Sequence, residues 1–433
     1  MKRGVITNIL TLATLLALLP TVAHADEPTP YEGYRTRLIA YSKASEARQH
    51  SLERSSYLRP ITEWEETNEG SLKASFSYPF SWLERQVFLR LEGAEQPYEV
   101  YVNGKLAGKS TNGFADAEYN ITKISREDLN NVELRLLDRG SVEKIECFER
   151  RGSLPRAYIV SQPRVRVRDL SWSAEIGSGG MVNSNFEVVM RNETMGDKTS
   201  TLYYEVFLND TIRLGGGQRN VALGMYETDT MRFGVAVPDS MLWSSAKPQQ
   251  IRITLKNRMA GRDLEFYDFP VALRELRYEN NKFYINNNEV DVKWHDLSPN
   301  ASIEEIEREL NSGHQHIRFT AGCVTEEVLN YCDTKGIYVA LTAPINSSSS
   351  GQSRKRGGSP SNNPAWRSEY VDRTVQMFYT TRRHPSVIAY FLADHSANGI
   401  ALYESYLALK AIAGDRPVIY LDGGKEWNSD YNK

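Results

Sequence analysis

The feature that most limits what this chain can fold into is a change of period near Leu276. Ahead of it, apolar and polar residues alternate in short runs broken by turn signals; behind it, strand-like runs alternate with helical ones. Residues 86–92 and 132–136 carry period-two patterning, the mark of a half-buried strand. Residues 98–102 run into Asn103-Gly104, the strongest short hairpin signal, and 105–107 leave on the return strand. This first stretch reads as an antiparallel sandwich. Further strands over 186–190, 201–207 and 250–255 are separated by Asn, Asp and Gly. At roughly 100 residues that second stretch fits a sandwich of immunoglobulin type.

Behind Leu276 the spacing predicts strands over 290–294, 316–319, 337–341, 386–392 and 417–421. Between them Ser302 and Glu305 form a capping box opening one helix, and a second over 325–335 ends at Gly336. A long third helix starts at Asn363-Pro364 with Pro in its first position, and a fourth covers 399–413. Strands alternating with helices imply parallel βαβ units. Residues 346–363, rich in Ser, Gly, Asn and Arg, read as a mobile, solvated loop; Arg354, Lys355 and Arg356 lie within it.

The chain opens with Met1-Lys2-Arg3, an apolar stretch centred on 10–19, and Ala23-His24-Ala25. That is the form of a cleavable signal peptide, so residues 1–25 are expected to be removed and the mature protein to be secreted or periplasmic. The apolar core is shorter than the about 20 residues a membrane span needs, so no span is expected in the mature chain. About 408 residues then remain of the 433, enough for two or three domains. They divide into 26–165, 166–275 and 276–433. With 52 basic and 55 acidic residues interspersed and a net charge of −3, nothing provides the basic stripe that nucleic-acid binding needs. Cys147, Cys323 and Cys332 sit far apart or at non-metal spacing; one disulfide is open to them, and so are three unpaired thiols.

Five strings narrow the reading. Val100-Tyr101-Val102-Asn103-Gly104-Lys105 is similar to the sugar-binding jelly roll that opens family 2 glycoside hydrolases, the β-galactosidase and β-glucuronidase group. Leu242-Trp243-Ser244-Ser245-Ala246-Lys247-Pro248 resembles a signature near the end of that family's immunoglobulin-like domain, and Phe283-Tyr284-Ile285-Asn286-Asn287 its entry into the barrel. Arg383-His384-Pro385-Ser386-Val387-Ile388 and Asp415-Arg416-Pro417-Val418 resemble the strings before the fourth and fifth barrel strands. They occur in the family's order. The fold this implies is multidomain β plus α/β: a jelly-roll sandwich, an immunoglobulin-like sandwich and a truncated (β/α) barrel with about five strands.

Retaining glycosidases need two carboxyl groups about 5–5.5 Å apart. The resemblance sets the family's acid/base Glu opposite His395 in Leu392-Ala393-Asp394-His395-Ser396, and its preceding Asn opposite Asp394. The nucleophile belongs to a seventh strand. Only about 150 residues run from Asn286 to Lys433, where a full barrel takes about 250. The family's Asn-Arg-His-Glu falls on Lys293-Trp294-His295-Asp296, its second-strand string on Arg318-Phe319-Thr320-Ala321-Gly322, and its third-strand Asp-Glu-Ala-Asn on Leu341-Thr342-Ala343-Pro344, with both acids gone. A magnesium-binding carboxylate and His would fall on Asn346 and Ser348. In the jelly roll, the string that reaches the sugar reads Glu146-Cys147-Phe148-Glu149.

No catalytic residue, cofactor or metal is therefore expected. Glu146, Phe148, Trp294, His295, Arg318, Asp394 and His395 stand as degenerate active-site positions open to a ligand. A metal held by His295, His395, Asp296 and Asp394 is chemically sensible, but strands one and four need not converge in an incomplete barrel. Asp394-His395-Ser396 invites a triad, yet adjacent residues on one strand end point different ways. Trp294, Phe148, Tyr420 and Trp427 could stack on sugar, although such aromatics more often pack in a core. An incomplete barrel would expose an apolar inner face and strand edges, which suggests docking of a protein partner or a second copy. The reading is a non-catalytic cell-envelope scaffold; a carbohydrate-binding accessory and a residual hydrolase are the rival classes.

Overall fold

The computed structural model describes residues 36–67, 70–152, 154–209, 211–423 and 428–431; the expected signal peptide and Trp427 lie outside them. Two antiparallel sheets form the first layered unit. One has the order Leu58–Ile61, Arg156–Gln162, Gln86–Glu92, Ala117–Asn120. The other runs Glu65–Glu66, Ser71–Phe76, Asn130–Leu136, Tyr98–Val102, Lys105–Ser110. Their facing apolar residues, among them Trp82, Leu89, Tyr98 and Val100, make one core. The hairpin turn forms at Asn103-Gly104, both at positive φ, with Val102 opposite Lys105.

A second pair of antiparallel sheets follows. Val165–Ile176, Met181–Asn192 and Thr228–Pro238 face Arg213–Leu223, Lys198–Phe207, Ile251–Met259 and Arg262–Val271 across a core containing Leu170, Phe186, Leu202 and Ile253. The early segment also joins this unit: Tyr41 exchanges backbone hydrogen bonds with Phe266 at 3.0 and 2.9 Å.

The last unit has a three-stranded antiparallel sheet, Leu276–Glu279, Lys282–Ile285 and Asn288–Val290. Five parallel strands in sequential order come next: β1 His295–Leu297, β2 His316–Phe319, β3 Tyr338–Thr342, β4 Val387–Phe391 and β5 Val418–Ile419. The helices between them are α1 Ile303–Asn311, α2 Glu326–Lys335, α3 Arg367–Thr381 and α4 Ile400–Lys410. The capping box at Ser302 and Glu305 is made in full. Gly336 ends α2 at φ +68, and a Cβ there would stand 2.4 Å from the Ser245 carbonyl oxygen. Among the described residues no helix is long and apolar enough to cross a membrane.

Three expectations need correction. The strand expected over 290–294 does not form. Asn286 and Asn287 adopt positive φ and turn the chain back, so Asn288–Val290 pairs antiparallel with Lys282–Ile285 and the first parallel strand begins at His295. The third helix opens with a separate 3-10 turn, Pro364–Trp366, before α3 begins at Arg367. In the stretch expected to be wholly solvated, residues 351–358 are exposed but Ser359, Pro360 and Ser361 are buried; the Ser361 hydroxyl donates to the Ala397 carbonyl at 2.5 Å.

The inner face of the five strands is not bare either. Ala340, Ile388, Ala389, Phe391 and Ile419 are buried in one cluster with Trp243, Leu276, Phe283 and Ile285, and Trp294 packs against it. The antiparallel sheet ahead of β1 thus covers the face that the sequence led us to expect open. The outer edge of β5 is also occupied: the Asp430 amide donates to the Val418 carbonyl and its carboxylate accepts from the Val418 amide, each at 2.8 Å. Trp243, fully buried, spans the joint between the second sandwich and this cluster, and its indole donates to the Asp333 carbonyl at 2.9 Å. Trp243→Ala is expected to lower unfolding free energy by about 3–5 kcal/mol, read as a lower urea midpoint at pH 7.

Candidate functional site

The C-terminal ends of parallel strands are where barrel folds hold their chemistry, and here those ends carry a closed set of ion pairs. In the parallel register Asp296 on β1 stands opposite Arg318 on β2. The Arg318 guanidinium donates to both Asp296 oxygens, at 2.7 and 2.5 Å, and to Asp394 Oδ1 at 2.7 Å. The other Asp394 oxygen accepts the Ala321 amide at 2.7 Å. Burial works against the Arg318 charge, but the hydrogen bonds and charges of Asp296 and Asp394 outweigh it and raise its pKa above the ordinary value. The guanidinium also lies 5.2 Å from the Phe391 ring centre.

A rung of backbone extends this floor into the first sandwich. The Asn346 amide donates to the Ile145 carbonyl at 2.8 Å, the Cys147 amide to the Asn346 carbonyl at 2.9 Å, and the Asp394 amide to the Ile345 carbonyl at 2.9 Å. Glu146, Asn346 and Asp394 thereby stand side by side in parallel bridges. The Glu146 carboxylate accepts from Arg373 at 2.7 Å and from Arg139 at 2.9 and 3.2 Å, and Arg373 is fully buried. Like Asp394, Glu146 is a buried acid whose charge is matched by a guanidinium.

The expected residues therefore sort into two groups. Glu146, Arg318 and Asp394 come together, with Asp296. Phe148 is half-buried with its ring 5.3 Å from Phe114. Trp294 packs edge-on against Phe283 and Phe391. His395 sits at φ +42 on the turn after β4 and is exposed. The Ser396 hydroxyl accepts the Ser347 amide and donates to the Asp394 carbonyl, each at 3.1 Å, so Asp394-His395-Ser396 makes no triad. Nor do His295 and His395 share a site: His295 turns to the helix layer, where its Nε2 lies 3.0 Å from Glu309. All three cysteines are free. The positions that the family resemblance gives to magnesium do not fit it, since Asn346 spends its side-chain oxygen on the Ser348 amide at 3.1 Å and Ser348 brings no charge.

Sequence reading missed Arg373, Glu309 and His314. Arg373 lies mid-helix on α3, where its spacing gives no hint of the Glu146 contact from 227 residues away in sequence. The pair Glu309 and His314 was legible only once Ser312 and Gly313 were seen to turn the chain between them.

Residues 318–431 match the family model described as glycosyl hydrolases family 2, TIM barrel domain. The chain is family 2 glycoside hydrolase-like. A β-galactosidase of Priestia megaterium is 23% identical over 378 residues, covering 81% of this chain and 36% of the relative. A β-galactosidase large subunit of Latilactobacillus sakei is 23% identical over 394 residues, 86% of this chain and 60% of the relative. The solved structure of Bacteroides uniformis β-glucuronidase superposes with a TM-score of 0.66 at 17% identity, over 81% of this chain and 46% of that one. At that identity the likeness speaks for the fold. The family 2-like chain thus spans 36 to 60% of the length of these two β-galactosidase relatives.

Breaking the ion set should be costly. Arg318→Met leaves the Asp394 charge buried without its cation and is expected to cost about 3–5 kcal/mol in urea unfolding. Adding Asp394→Asn in the same chain is expected to restore most of the loss.

Proposed function

We propose that this family 2-like chain is a non-catalytic protein of the cell envelope, built from a jelly-roll sandwich, an immunoglobulin-like sandwich and a shortened (β/α) barrel. The observation that carries this reading is the Arg318 ion set. A glycosidase needs one carboxyl to give a proton and another free to attack or to activate water. Asp394 and Asp296 are instead tied to one guanidinium, and His395 stands where the resemblance expects the acid/base carboxyl. What supports the reading lies inside the chain, whatever else the full protein contains.

Purified chain incubated with nitrophenyl β-galactoside and β-glucuronide is expected to release nitrophenol no faster than buffer. Turnover that disappears in Asp394→Asn or His395→Ala would restore the hydrolase reading.

As a scaffold, the protein would work by docking a protein partner or a second copy. With the inner barrel face covered, that role needs another surface, and light scattering that returns a dimer mass would favour it. A second reading, carbohydrate binding, has a specific feature in its favour. A groove of about 990 Å³ on the second sandwich is lined by Tyr203, Phe207, Arg252 and Lys256. Arg252 and Lys256 lie over the Phe207 and Tyr203 rings, 4.3 and 4.2 Å from their centres, and cationic donors held on aromatic rings suit the hydroxyls of a sugar. Calorimetric titration with plant and host oligosaccharides is expected to show binding that Phe207→Ala removes and Phe148→Ala spares; flat titrations across the set would sink this second reading.

A further inference from the structure

The first βα unit gathers two imidazoles and a carboxylate at the end of the barrel away from Arg318 and Asp394. His295 opens β1, Glu309 lies in the last turn of α1, and His314 in the connection to β2. Gly313, at φ +91, turns the chain so that the His314 amide donates to the Glu309 carbonyl at 3.0 Å. That short closure sets the two side chains side by side. His314 Nδ1 lies 2.8 Å and His295 Nε2 3.0 Å from the same oxygen, Glu309 Oε2. The rings stack with centres 3.9 Å apart and 4° between their planes. All three residues are half-buried, and among the described residues they are the one group of three such side chains whose ligand atoms all fall within 4.8 Å of each other.

We propose that His295, Glu309 and His314 form a binding site for a divalent transition-metal ion of the zinc class, with water completing its shell. Imidazole nitrogen and carboxylate oxygen bind zinc at about 2.0–2.2 Å, which puts neighbouring ligands of a tetrahedral ion roughly 3.3 Å apart. The two nitrogen-to-oxygen distances need to open by about 0.3–0.5 Å, and the stacked rings must tilt apart so that both nitrogen lone pairs point at one ion. Two nitrogen donors select against magnesium and calcium, which take oxygen ligands. An ion here would tie β1 to the end of α1. Its role is structural, because the site lies away from the C-terminal strand ends, and it is independent of the reading proposed above.

Calorimetric titration of zinc chloride into the purified chain is expected to show one site of micromolar affinity. His314→Ala and Glu309→Gln are each expected to weaken it by more than about tenfold, and Cys147→Ser to leave it unchanged. Zinc is expected to raise the melting temperature of the unaltered chain and of Cys147→Ser, but not of the other two. Glu309→Gln keeps the side-chain size, so its fold is a fair control. The site is overturned if the unaltered chain takes up no zinc at millimolar concentration, if both ligand variants bind as tightly as it does, or if Cys147→Ser abolishes uptake.

Discussion

Asp333, near the end of α2, is the point on which the relation of barrel to sandwich turns. Its backbone carbonyl accepts the Trp243 indole N–H at 2.9 Å. Its carboxylate meets His384 Nδ1 at 2.7 Å and accepts both the amide and the hydroxyl of Ser386, at 3.1 and 2.5 Å. Asn286 donates to the Trp243 carbonyl at 3.0 Å, and Arg274 reaches Asp415 at 3.3 Å while donating to the Pro385 and Val387 carbonyls. Four of the five strings that carry the family resemblance meet in this small volume. Together they tie the parallel strands to the second sandwich, and a buried network of this kind tolerates little change, since each lost partner strands another polar group.

Parallel strands have to be covered on both faces. The helices cover the outer face, where Ile317, Val339, Leu341 and Val387 pack. The antiparallel sheet of residues 276–290, with Trp243 and Trp294, covers the inner one. This solution recruits Trp294, one of the aromatics that looked available to stack on sugar. It also takes away the apolar face that would have made docking through the barrel interior a necessity.

The strand ends show the same economy with charge. Buried carboxylates are tolerable only when matched. Asp394 is matched by Arg318 and Glu146 by Arg373, and the backbone rung through Asn346 lines the two pairs up across the domain boundary. At these strand ends the buried charges are satisfied by fixed partners, with His395 turned to solvent beside them.

Much of this fold was legible because it follows from local rules. Asn103-Gly104 sets a hairpin, Ser302 and Glu305 cap a helix, Gly336 ends one, and the switch from period two to alternating elements marks the start of the parallel strands. The identity of the positions at the strand ends was legible too, since strings read in order locate them. Partners were not. Asn286-Asn287 acts as a turn only through a left-handed pair of residues, which moved the first strand from 290–294 to His295–Leu297 and changed what His295 and Asp296 face. Glu146 finds Arg373, and Arg318 finds both Asp296 and Asp394, only after the sandwiches and strands have packed. Sequence determines backbone preference residue by residue; which buried charge neutralises which is decided by burial, and burial exists only in the tertiary structure.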